Sequence, residues 1–86
     1  MDFNLIERAG LTQLEFSRIV GYSRPSVNLW RNGRKTPGPV ATAKLARAAA
    51  ALRAAIKDKE LPAPEGAERN ETLALLAEIV NATETA

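Results

Sequence analysis

Between Thr12 and Gly33, signals that start and stop helices follow one another so closely that there is room only for two short helices and a tight turn. Thr12-Gln13-Leu14-Glu15 is a capping box: the Thr12 hydroxyl can accept from the backbone N–H of Glu15, and the Glu15 carboxylate can reach back to the N–H of Thr12. A helix therefore runs from about Gln13 to Val20. Gly21 follows it, at a position where a left-handed backbone suits a residue without a Cβ. Pro25 marks the next start, because a helix tolerates proline only in its first turn. Proline also disfavours helical backbone in the residue before it. Arg24 is accordingly read as the N-cap and Pro25 as the first helical residue, with Ser23 the other candidate start. This third helix passes through Trp30 and stops near Asn32-Gly33.

The rest of the chain is also helical in pattern. Asp2 can cap a short first helix carrying Phe3, Leu5 and Ile6, which Gly10 can end. Pro37-Gly38-Pro39 is a rigid break. Pro39 can open a fourth, alanine-rich helix running to about Lys59, with Val40, Leu45, Leu52 and Ile56 in one broad apolar stripe. Residues 61–66, Leu-Pro-Ala-Pro-Glu-Gly, have linker composition. A last helix is expected from about Asn70 to Ala82, with Asn70 as N-cap. Its Leu73, Leu76, Ile79 and Val80 recur at helical spacing, with Leu75 beside them. No repeat and no convincing strand is visible. The expected fold is all-α, a bundle of about five helices, with a body over residues 1–60, a linker over 61–66 and an appended helix over 67–86.

Composition removes several functions. The 86 residues include no cysteine and no histidine. Disulfides, thiolate zinc sites, the commonest general base and the commonest metal ligand are therefore missing. No carboxylate pair stands out, and the chain is not expected to be an enzyme or to need a cofactor or metal. The first four residues do not look like a signal peptide. No apolar run approaches the roughly 18 residues needed to cross a membrane, and the chain reads as cytoplasmic. Net charge is only +2, but residues 1–60 hold eleven Lys/Arg against five Asp/Glu, while residues 61–86 hold one Arg against five Glu. A basic body with an acidic tail suits a polyanionic partner.

Leu11 to Gly38, LTQLEFSRIVGYSRPSVNLWRNGRKTPG, resembles the helix-turn-helix of the Cro and phage-repressor (Xre-type) family. That pattern runs Leu-Thr-Gln, a hydrophobic-Ala pair, a Gly-Val-Ser turn, a Ser/Thr-hydrophobic pair and Trp-x-x-Gly. The chain matches it at Thr12, Gln13, Gly21, Ser23, Val27, Trp30 and Gly33, over about a third of its length. It departs at Ser17 (usually alanine), Tyr22 (usually valine), Arg31 (often glutamate), Leu14 (commonly polar) and Pro25. The resemblance implies a small lambda-repressor-like bundle, with its helix-turn-helix at about 12–33, that binds double-stranded DNA.

In that geometry the third helix lies in the major groove, N-terminal half towards the bases. Arg24 is the first candidate for base contact, because a guanidinium can hold guanine O6 and N7 together; Asn28, four residues on, can pair with adenine N6 and N7. Ser26 can reach a base or a phosphate. Pro25 occupies a reading position without a donor, so its contact would be apolar, for instance with a thymine methyl. Gln13, at a helix N-terminus, is a phosphate-contact candidate, and the resemblance implies the same. Arg18, Arg31, Asn32, Arg34 and Lys35 are the other phosphate candidates, contacts that set register and affinity rather than sequence preference. Trp30, three residues after Val27, is read as core rather than as a base-stacking platform. Leu73, Leu76, Ile79 and Val80 are the dimerisation candidates, with packing onto the fourth helix of the same chain as the alternative. The expected function is a DNA-binding transcriptional regulator, a dimeric phage or bacterial repressor on a pseudo-palindromic operator. The alternatives are an antitoxin whose last helix binds a protein toxin, and a protein-interaction module that does not touch DNA.

Overall fold

A computed structural model describes residues 1–82. The described residues fold as an all-α bundle of five helices: α1 (Asn4–Arg8), α2 (Gln13–Val20), α3 (Arg24–Arg31), α4 (Pro39–Lys57) and α5 (Ala67–Asn81). Its centre is one apolar cluster. α1 contributes Leu5 and Ile6, α2 contributes Phe16, Ile19 and Val20, and α3 contributes Val27. Leu45, Ala48 and Leu52 come from α4, and Leu76 and Val80 from α5. No helix among the described residues is long and apolar enough to cross a membrane.

α1 is short, and the Asp2 carboxylate accepts from the N–H of Asn4 at 2.9 Å, although Phe3 is the residue flanking the helix. α4 begins at Pro39 as expected but ends at Lys57, two residues early, and Lys59 turns left-handed at φ +61°. Its buried row runs through Ala41, Leu45, Ala48, Leu52 and Ala55. Val40 is therefore one position out of register with the core and stands 70% exposed, contrary to its place in the expected stripe. Ile56 is only partly buried against the cluster.

The segment over 61–66 is not a detached linker, because Leu61 is buried in the core with 2% exposure. α5 also starts three residues before the expected Asn70 cap. The N–H of Asn70 already bonds to the Gly66 carbonyl at 3.1 Å, so Asn70 lies inside the helix and Gly66 flanks it. The cause of the tighter connection is Arg69, which is 8% exposed. Its guanidinium donates to both Glu15 carboxylate oxygens (2.7 and 2.8 Å), to the Ala63 carbonyl (2.9 Å) and to the Gly10 carbonyl (3.2 Å). At the other end of α5, the Asn81 amide donates to the Ile19 carbonyl at 2.9 Å, closing the C-terminus of α2. Arg47 of α4 donates to the Val80 carbonyl at 3.1 Å. α5 thus packs on α2 and α4 of its own chain.

This packing takes two of the four dimerisation candidates into the core. Leu76 is 5% exposed and Val80 is fully buried, Leu73 is half-buried against the cluster, and Ile79 is exposed. Leu75, placed beside the stripe by its sequence position, is exposed as well.

The Arg69 guanidinium, followed by the Thr12 N–H, holds the Glu15 carboxyl below its ordinary value. A depressed carboxylate stabilises the fold fully above its unfolded-state pKa, about 4.3, and that contribution disappears as the pH falls through the lower folded value. Arg69→Met should destabilise the chain by roughly 1–3 kcal/mol at neutral pH, because it leaves a half-buried carboxylate without its partner. In pH-dependent thermal melts the gap between wild type and variant should narrow steadily below about pH 4. A gap that does not change with pH would show that Arg69 acts through packing alone.

Candidate nucleic-acid interface

The geometry of α2, the turn and α3 follows from local hydrogen bonding. The capping box forms: Thr12 Oγ1 accepts from the Glu15 N–H at 3.1 Å, and the Thr12 N–H donates to Glu15 Oε1 at 2.9 Å. Gly21 adopts φ +73°, and the N–H groups of Gly21 and Tyr22 both donate to the Ser17 carbonyl. Ser23 is extended, and its hydroxyl oxygen accepts from the Ser26 N–H at 3.3 Å. Ser23 is therefore the N-cap of α3, with Arg24 and Pro25 as the first two helical residues, one step earlier than the sequence reading placed them. A serine side chain can satisfy a helix-start N–H where arginine cannot, and a proline in the first turn forfeits no intrahelical bond.

Contacts with the body set the rotation of α3. Val27 is fully buried. Trp30 is half-buried rather than in the core proper, its ring meeting Tyr22 edge-on with centroids 5.1 Å apart. The Tyr22 ring lies in turn 4.9 Å from the Lys44 ammonium. The Gln13 side-chain amide donates to the Arg24 carbonyl at 3.3 Å, tying the starts of α2 and α3 together.

With that side pinned, the outward face of α3 carries two rows at i, i+4 spacing. One is Arg24, Asn28 and then Asn32, all exposed, with the Asn32 amide donating to Asn28 Oδ1 at 3.4 Å. The other is Pro25 and Leu29, the leucine 38% exposed. The sequence reading gave Leu29 no role. The signal was present, since a residue two after buried Val27 and four after Pro25 must face outward, but an apolar side chain draws attention to the core first.

Other expected contact residues are distributed differently. Ser26 is half-buried, and its oxygen accepts from the Ser23 hydroxyl at 2.9 Å, so it belongs to the cap. Arg31 is paired with Glu7 of α1. Arg34 and Lys35 are exposed just past α3, their N–H groups folded back onto the Leu29 carbonyl. Arg18 lines a groove between α2 and α5 with Asn70, Leu73 and Ala77. It lies five residues, about 140° of helix, from Gln13, so the two point in different directions. Gln13 keeps a second amide hydrogen beyond the one given to Arg24.

Formal charge is uneven along the chain. Residues 16–57 contain nine Lys/Arg and no Asp or Glu. Glu7 of α1, outside this stretch, pairs with Arg31 within it. Among the described residues no cluster of His, Cys, Asp or Glu could hold a metal ion. In comparisons with protein families, curated proteins and solved structures, the chain matches none.

Ser23 holds the first turn of α3, where Arg24 and Pro25 sit. Ser23→Ala should cost about 1 kcal/mol. It should also raise the hydrogen-exchange rate of the Ser26 and Val27 amides more than those in α4. Uniform acceleration across all five helices would mean that the cap contributes only global stability.

Proposed function

We propose that this chain is a sequence-specific double-stranded DNA-binding regulator that reads the major groove with α3. The observation that carries the proposal is the outward face of α3. A guanidinium and an amide stand four residues apart beside an apolar pair, on a helix whose opposite side is fixed to the body. A short helix presented in this way is the element that fits a major groove. Arg24 is assigned to guanine O6 and N7, and Asn28 to adenine N6 and N7. Pro25 and Leu29 are assigned to thymine methyl groups, the one base feature an apolar side chain can recognise. Arg34 and Lys35 would lie on the phosphate backbone at one end of α3. Gln13 would use its second amide hydrogen on a phosphate at the other.

The resemblance to the Cro and phage-repressor family points to a repressor acting in the cytoplasm on a pseudo-palindromic operator. Glu7 fits this reading as a moderating group, because it takes up the charge of Arg31 close to the reading helix. The long acid-free stretch over 16–57 favours DNA over the protein-interaction alternative.

Two measurements test the assignment on a duplex selected from random sequence. Arg24→Ala should weaken specific binding by roughly 1–3 kcal/mol and relax the preference at one base pair. Equal weakening on all sequences would make Arg24 a phosphate contact instead. Replacing individual thymines of the selected site by uracil removes only the methyl group. At one or two positions this should weaken the wild type, while Leu29→Ala should be insensitive at the position that Leu29 reads. A selected site indifferent to every uracil would remove the apolar row from base reading.

A further inference from the structure

The outer face of α4 and the adjoining flank of α5 form a second surface of distinct character. Ala50, Ala51 and Ala54 floor an open groove of about 530 Å³, with Leu76 in its wall. Ile79 stands at its edge, 58% exposed, and Leu75 on the same helix is 57% exposed. The ends of the groove carry opposite charge, Arg47 at one and Asp58 with Glu60 at the other. Asp58 follows Arg47 by eleven residues, about 16 Å along a helix.

We propose that a second copy of this chain docks in this groove, the two α4 helices running antiparallel across a two-fold axis near Ala51 and Ala54. A two-fold interface must be complementary to itself. Reversing α4 against its own copy brings Arg47 of each chain onto Asp58 and Glu60 of the other, whereas a parallel arrangement would set like charges together. The alanines add little bulk, so the two helices approach closely, and Leu75 and Ile79 cover the shoulders of the contact. Two acids at one end of the groove, with exposed Glu71 and Glu78 on the outer face of α5, make it a poor nucleic-acid surface. A partner of single charge would match only one end. The interface therefore centres on α4 and takes Ile79 from the Leu73, Leu76, Ile79 and Val80 stripe, of which Leu76 and Val80 serve the chain's own core.

The test uses the full chain without nucleic acid, so its failure and failure of the DNA reading are separable. Sedimentation velocity should show a dimer whose fraction rises with concentration. Ile79→Asp, an exposed position, should keep the helical circular dichroism and weaken association by about a hundredfold, as expected for removing an isoleucine from both sides of an apolar contact. The chain has no cysteine, so Ala54→Cys supplies a single thiol beside the proposed axis. It should form an intermolecular disulfide under mild oxidation far faster than Glu65→Cys, on the exposed connection before α5. A wild-type chain that stays monomeric, an Ile79→Asp dimer of unchanged affinity, or equal cross-linking of the two cysteine variants would each overturn the proposal. The first of these leaves the groove to a different protein partner.

Discussion

The Arg69 guanidinium joins three segments that sequence order keeps apart. It bonds to the carbonyl that ends α1, to the carboxylate that caps α2 and to the strap that leads into α5. Glu15 serves two partners at once, since one of its oxygens also closes the capping box with Thr12. A partly buried ion pair of this kind gains most where hydrogen bonds satisfy it fully. Here the donors meet two backbone carbonyls and a carboxylate that the capping box also holds. Glycine at position 10 is part of the same arrangement. Its backbone is left-handed at φ +70°, and an added Cβ would stand 2.6 Å from the Pro62 side chain. The α1–α2 corner and the strap can approach this closely because the position has no side chain.

The presentation of α3 depends on that frame. α2 is held on one flank by α5, through Arg69 near its start and Asn81 at its end. Its other flank carries α3 through Gln13, Val27 and the aromatic pair of Tyr22 and Trp30. A helix of eight residues has little stability alone, so the direction of Arg24, Asn28, Pro25 and Leu29 is inherited from α2. The residues proposed to read DNA thus sit on a rigid support, while the charged groups at the ends of α3 remain at the surface.

Much of the local structure was legible in the sequence because its causes are local. The capping box at Thr12, the left-handed glycine at 21, the proline that opens α4 and the outward direction of Arg24 and Asn28 all follow from interactions within about four residues. The misreadings have local causes too. Pro25 disfavours helical backbone at Arg24, yet the Ser23 hydroxyl can accept from the Ser26 N–H and so takes the cap. Val40 is apolar, but its register on α4 lies one position off the buried row. Trp30, read as core from its spacing to Val27, packs against the cluster but stays half-buried beside Tyr22.

By itself the sequence determined an all-helical chain, the positions of its tight turns and the concentration of cations over residues 16–57. Helix caps, proline, glycine and formal charge act over a few residues and need no knowledge of the partner surface. Only the tertiary structure decided that residues 61–66 are a packed strap, that Leu76 and Val80 face inward while Leu75 and Ile79 face out, and that Arg31 is matched by Glu7. Each of these turns on which distant segment arrives alongside, and α5 could be placed only once Arg69 had found Glu15 across more than fifty residues of chain. Amphipathic spacing shows that a helix has a face to bury; what that face meets is settled by the whole packed chain.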